Sequence, residues 1–125
     1  MSLAQLPVRA QIAVSDLTRA RAFYEERLGL VPENDGPDEY RIYPCGGDTA
    51  LHVYVSRANA GTASGTVAVW NVPDVEAEVD ELTARGVVFE RYDEPATDAK
   101  GIHSAGYVTV AWFKDPDGNT FAIER

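Results

Sequence analysis

The chain has 125 residues, 45% of them apolar and 25% charged; that is enough to bury one sizeable core, and it excludes a disordered chain. Acidic residues outnumber basic ones 20 to 11, and the net charge of −9 disfavours nucleic acid and anionic membrane surfaces as partners. Cys45 is the single cysteine, so no disulfide can form within the chain.

No apolar run approaches the ~20 residues of a membrane-spanning helix. The first residues lack a charged stretch followed by an apolar one, so no signal peptide is expected and the expected address is cytoplasmic. Val8–Val14 is apolar and β-branched, which predicts a strand. Asp16 follows as a helix N-cap, and Leu17, Ala20, Phe23, Tyr24 and Leu28 form an apolar stripe at helical spacing, closed by Gly29. Glu33, Asp35, Asp38 and Glu39 read as a solvated acidic face or, alternatively, a site for a cation. Tyr40–Pro44 and Thr49–Val55 flank a Gly-rich turn and predict a hairpin. Ser56–Ser64 reads as a linker.

The pattern then starts again. Thr66–Val72 predicts a strand, Asp74 a cap, and Val75, Val79 and Leu82 a helical stripe closed by Gly86. Val87–Arg91 is a candidate strand, and Asp93–Ala105 reads as a long loop in which His103 is solvent-exposed or part of a lid. Tyr107–Lys114 and Asn119–Glu124 predict strands joined by the turn Asp115-Pro116-Asp117-Gly118. Val14 and Asp16 recur as Val72 and Asp74 in one register, whereas Gly29 recurs as Gly86 in a register one residue shorter, so one gap lies inside the helical segment. Strand, helix and further strands, twice over, predict an α+β fold in one domain of residues 1–125. Module one is about 6–56, the linker about 57–64 and module two about 65–125.

The segments VSDLTRARAFYEERLGL, ELTARGVVFERYDEP and VAWFKDPDGNTFAIE resemble the vicinal oxygen chelate superfamily, which includes glyoxalase I, extradiol dioxygenases and bleomycin- and fosfomycin-resistance proteins. The resemblance runs from Val8 to Glu124. It implies two βαβββ modules, curved mixed sheets around a cavity, and a homodimer. It also implies four metal-ligand positions, which fall here on Arg9, His52, Val67 and Ala122. Arg has no acceptor and does not deprotonate, and Val and Ala offer no lone pair. A register slip of two would bring Gln11 to the place of Arg9, still too few ligands for zinc. No metal and no cofactor are therefore expected.

His52 reads either as an inert, hydrogen-bonded strand histidine or as a polar contact and acid–base group. It is the only catalytic candidate. Strand alternation places Ala50 and Tyr54 on the face of His52, and Val69 and Asn71 on that of Val67, with Leu51, Val53, Ala111 and Phe113 under the helices. Trp112 is then left for the cavity as core or as a stacking platform, and Arg9 as a strand ion pair or an anion contact. The expected ligand contacts are thus Arg9, Gln11, His52, Tyr54, Val67, Val69, Trp112 and Ala122. The expected function is metal-independent binding of a small aromatic, amphipathic or cationic molecule. The alternative is a lyase, isomerase or dioxygenase of the glyoxalase type, using a metal or, without one, His52 as base.

Overall fold

The repeated Val-x-Asp pattern starts two strand–helix units. In the computed structural model, which describes residues 2–125, the elements are β1 (Ala10–Val14), α1 (Leu17–Arg21), β2 (Tyr40–Pro44), β3 (Ala50–Val55), β4 (Thr66–Asn71), α2 (Val75–Ala84), β5 (Ile102–Ala105), β6 (Val108–Lys114) and β7 (Thr120–Glu124). Asp16 caps α1 by accepting from the Arg19 N–H at 3.1 Å, and Asp74 caps α2 by accepting from Ala77 at 3.0 Å.

The gap in the repeat has a structural counterpart. After Arg21 the first helix continues as a π-helix over Ala22–Arg27, ending with the Leu28 N–H donating to the Phe23 carbonyl at 3.0 Å. A π-turn takes up one residue more than an α-turn. Phe23 and Tyr24 within it are both buried.

The chain forms two mixed sheets, ordered β1-β3-β2 and β4-β7-β6-β5. β1 runs parallel to β3 and β4 parallel to β7, while the other neighbours are antiparallel. Both sheets turn one face to the helices. Ile12, Val14, Leu51 and Val53 from the first sheet and Ala111, Phe113, Phe121 and Ile123 from the second join Phe23, Tyr24, Val75 and Val79 in one core. Leu17 is buried beside α1's other apolar residues, and Leu82 packs half-buried against the core.

Two details differ from the sequence expectation. The first sheet carries three strands. Where a fourth would run, the Glu33 N–H donates to the Ile42 carbonyl at 2.9 Å, and the Asn34 side chain accepts from the Ile42 N–H and donates to the Tyr40 carbonyl. Pro32 and Pro37 cannot donate to a ladder, so this edge is held by a side-chain amide instead of a strand. In the second module, Val87–Arg91 contributes only the bridge of Phe89 with Phe113, and the edge strand is Ile102–Ala105, inside the segment read as a loop. Phe89 and Ile102 both anchor on β6, and the chain leaves that edge between them.

The Asp115 turn locks the modules together. The buried Asp115 accepts from the Tyr24 hydroxyl at 2.6 Å and from the Asn119 side chain at 2.8 Å, and that amide also donates to the Ala13 carbonyl at 2.9 Å. Asp117 accepts from the Ser15 hydroxyl at 2.6 Å and pairs with Arg19 at 3.0 Å. No helix among the described residues is long and apolar enough to cross a membrane.

Candidate functional site on the open sheet faces

Residues paired across strands share a face, so the register identifies the side away from the helices. On the first sheet Gln11 pairs with His52, His52 with Ile42, and Tyr54 with Tyr40. On the second Val69 pairs with Ala122, Ala122 with Trp112, and Val110 with His103. His52, Tyr54, Val69, Trp112 and Ala122 thus lie on the open faces, as alternation predicts. The two first-strand positions that the resemblance implies, Arg9 and Val67, lie elsewhere in the register. Arg9 is exposed just ahead of β1, and Val67 falls at a register shift between Thr66 and Ala68. Gln11 and Val69 take the places opposite His52 and Ala122, two residues further on in each case.

The open face of the first sheet is polar and aromatic. The Gln11 side-chain amide lies 3.0 Å from His52 Nδ1. The imidazole stands edge-on to Tyr40, with ring centres 5.1 Å apart, and to Tyr54 at 6.2 Å. On the second sheet Trp112 carries Tyr92 at 5.6 Å and His103 at 6.3 Å. His103 Nδ1 reaches the Ala96 carbonyl at 2.8 Å, so this histidine is half-buried and ties down the loop rather than lying free in solvent. Burial, then the nearby Glu90, raises the Tyr92 phenol above its usual range and keeps it a neutral O–H donor.

Tyr40, Tyr92 and His103 are contributors that sequence reasoning did not place. Pairing β2 against β3 would have found Tyr40. Nothing local marks Tyr92, because its position depends on the path of the 91–101 loop. That loop is held by paired Tyr92–Thr97 hydrogen bonds, by Asp98 accepting from Lys100 and Ile102, and by Lys100 reaching Asp80 of α2 at 2.9 Å.

Two clefts adjoin this geometry differently. One of about 380 Å³ lies between the two first strands and is lined by Ala10, Cys45, Ala50, Val69 and Asn71. A larger one of about 640 Å³ lies along α1, where Arg21 and Glu25 pair at 2.7 Å. That bond and the Tyr43 hydroxyl hold the Glu25 carboxyl below its usual range against the opposing effect of burial. The α1 groove contains none of the open-face residues.

These features define a class. The family model for the Glyoxalase/Bleomycin resistance protein/Dioxygenase superfamily matches residues 7–123, and the chain belongs to that superfamily. Among solved structures it is similar to TnmS3, an antibiotic-binding protein from Streptomyces sp. CB03234, at 26% identity with a TM-score of 0.75 over 98% of this chain and 97% of that one. A glyoxalase/bleomycin resistance protein from the same organism matches at 26% identity and a TM-score of 0.71, covering 94% and 97%. A bleomycin resistance determinant encoded on transposon Tn5 shares the fold at 20% identity and a TM-score of 0.71, covering 97% and 98%. No curated protein matches the chain significantly by sequence.

The superfamily's metal chemistry can be tested against the donors. Facing one another are Gln11 with His52, and Val69 with Ala122. That set holds one imidazole and one amide, with no carboxylate, and two of its side chains have no lone pair. Zinc needs three or four protein ligands and a hard cation needs carboxylate oxygens, so these residues fit neither. No group of three or more His, Cys, Asp or Glu among the described residues is arranged to hold a metal ion.

Proposed function

We propose that this protein binds a small, planar aromatic or amphipathic molecule on its open sheet faces and does so without a metal. The observation that carries the reading is the exchange of ligand-type side chains for apolar and aromatic ones. Val69 and Ala122 stand where donors would be needed, and the rings of Tyr40, His52 and Tyr54 on one sheet and Tyr92 and Trp112 on the other supply stacking surface. The similarity to an antibiotic-binding protein supports the same class of function. In this reading Gln11, His52, Tyr54, Val69, Trp112 and Ala122 contact the ligand, with Arg9 and Val67 at its edge. Two copies pair so that the open sheets close a shared cavity, and the protein works in the cytoplasm. The net charge of −9 favours neutral or cationic ligands over anionic ones. The halves act as one domain because a single core crosses them.

Thermal-shift screening of the purified protein against planar aromatics and divalent metals tests this. Aromatics are expected to raise the melting temperature and to quench Trp112, while zinc, nickel, manganese and iron leave it unchanged. About one metal per chain by elemental analysis, lost on His52→Ala, would sink the reading.

A further inference from the structure

The two histidines on the open faces make opposite hydrogen bonds. His52 Nδ1 lies 3.0 Å from Gln11 Nε2. With the Gln11 N–H₂ turned to it, this ring nitrogen accepts, which places the proton of neutral His52 on Nε2. His103 Nδ1 lies 2.8 Å from the Ala96 carbonyl oxygen. A carbonyl only accepts, so Nδ1 of His103 must carry the proton, and its Nε2 keeps a lone pair. In each ring the bond made by one nitrogen decides what the other offers. Neither Nε2 has a hydrogen-bond partner among the described residues.

Both rings are also held in orientation. His52 is edge-on to Tyr40 and Tyr54, and His103 lies tilted beside Trp112. Gln11 sits opposite His52 in the strand register, so the backbone pairing of β1 with β3 sets their contact.

We infer that the open faces carry imidazoles of opposite polarity, a donor at His52 and an acceptor at His103, with Gln11 the positioning residue that sets the first. Each face then suits a different group on a planar aromatic: a carbonyl-type oxygen at His52, and a hydroxyl or N–H at His103. The ligand class rests on the binding function proposed above; the tautomers rest on geometry alone.

Two measurements separate these. Long-range proton–nitrogen correlation spectra are recorded at about pH 9, where an ordinary imidazole is neutral. They should show two histidines with opposite tautomer patterns, assigned by His52→Phe and His103→Phe. Gln11→Glu places an acceptor opposite Nδ1 and should switch His52, and only His52, to the Nδ1–H form. A shared tautomer, a wild-type His52 already protonated on Nδ1, or a Gln11→Glu spectrum like wild type would overturn the assignment.

The ligand arm compares fluorene with fluorenone and hydroxyfluorene by Trp fluorescence. Fluorenone should bind about fivefold more tightly than fluorene, the ratio one neutral hydrogen bond supplies, and His52→Phe should erase that advantage. Hydroxyfluorene should show a similar advantage that depends on His103. A fluorenone preference that is absent, or that survives His52→Phe, would overturn the ligand class. If none of the three binds, the ligand class falls together with the binding reading, while the spectra still decide the tautomers.

Discussion

The Tyr24 hydroxyl, in the π-helical segment of the first module, donates to Asp115 Oδ2 in the turn of the second across 2.6 Å, with both residues buried. The bond joins residues far apart in sequence at the point where the modules meet, and Asn119 extends it to β1 through the Ala13 carbonyl. Tyr24→Phe keeps the ring packing against Phe23, Tyr43 and Phe121 and removes only the donor. A hydrogen bond to a charged group contributes about 2 kcal/mol. Urea unfolding should therefore show a lower midpoint with an unchanged slope, and a midpoint equal to wild type would show that the bond adds nothing.

Alkaline stability follows from the same residue. Burial, then the charge of Asp115, raises the Tyr24 phenol far above its ordinary value, and burial followed by the Glu25 hydrogen bond raises Tyr43 in the same direction. The unfolded phenols ionise near about pH 10, whereas the folded ones stay neutral. Their stabilisation is complete below that pH and is lost as pH rises above it, because only the unfolded state releases the protons. Melting temperature should fall above about pH 10, and less steeply in Tyr24→Phe than in wild type. Equal slopes in the two proteins would contradict the assignment.

Gly29 and Gly86 close the two helical segments with φ of +74° and +97°. Each is covered by an arginine from the other module: the Arg85 guanidinium lies over Gly29, and Arg27 lies over Gly86 and donates to its carbonyl. A Cβ at Gly29 would collide with the Arg85 guanidinium. Gly29→Ala should cost about 1–2 kcal/mol from backbone strain alone. The double variant with Arg85→Ala should recover only the steric part. Gly46→Ala, at a site with ordinary φ and open space around the new methyl, should be neutral. Circular dichroism melts that rank Gly46→Ala with Gly29→Ala would refute this.

Phe113 tests whether the core is shared. It is 1% exposed and packs against Phe23 from the first module and Trp70, Phe89 and Phe121 from the second. Phe113→Ala should cost about 3–5 kcal/mol, and the protein should still unfold in one transition. Two resolved transitions would mean that the modules are held by separate cores. Val88→Ala, at 82% exposure, should leave stability within about 0.5 kcal/mol.

The α+β class, the duplicated strand–helix start, the caps at Asp16 and Asp74 and the closing glycines were all legible in the sequence. Each depends on local chemistry: alternation, helical spacing, a carboxylate beside free N–H groups, or a backbone that tolerates positive φ. The open-face placement of His52, Tyr54, Val69 and Trp112 was legible for the same reason, since side chains alternate along any strand. Tertiary structure alone decided which residues face one another. Gln11, which a register slip of two allowed, stands opposite His52 because strand register is set by hydrogen bonding between segments some forty residues apart, which the residues of β1 alone do not contain. Ile102–Ala105 became the outer strand for a similar reason. Its four residues carry a single large apolar side chain, too weak a local signal, and they are ordered by the free edge of β6 beside them. Tyr92 and His103 reach Trp112 only because the intervening loop folds back on itself, through bonds to Thr97, Ala96 and Asp98 that exist only once the sheet is formed.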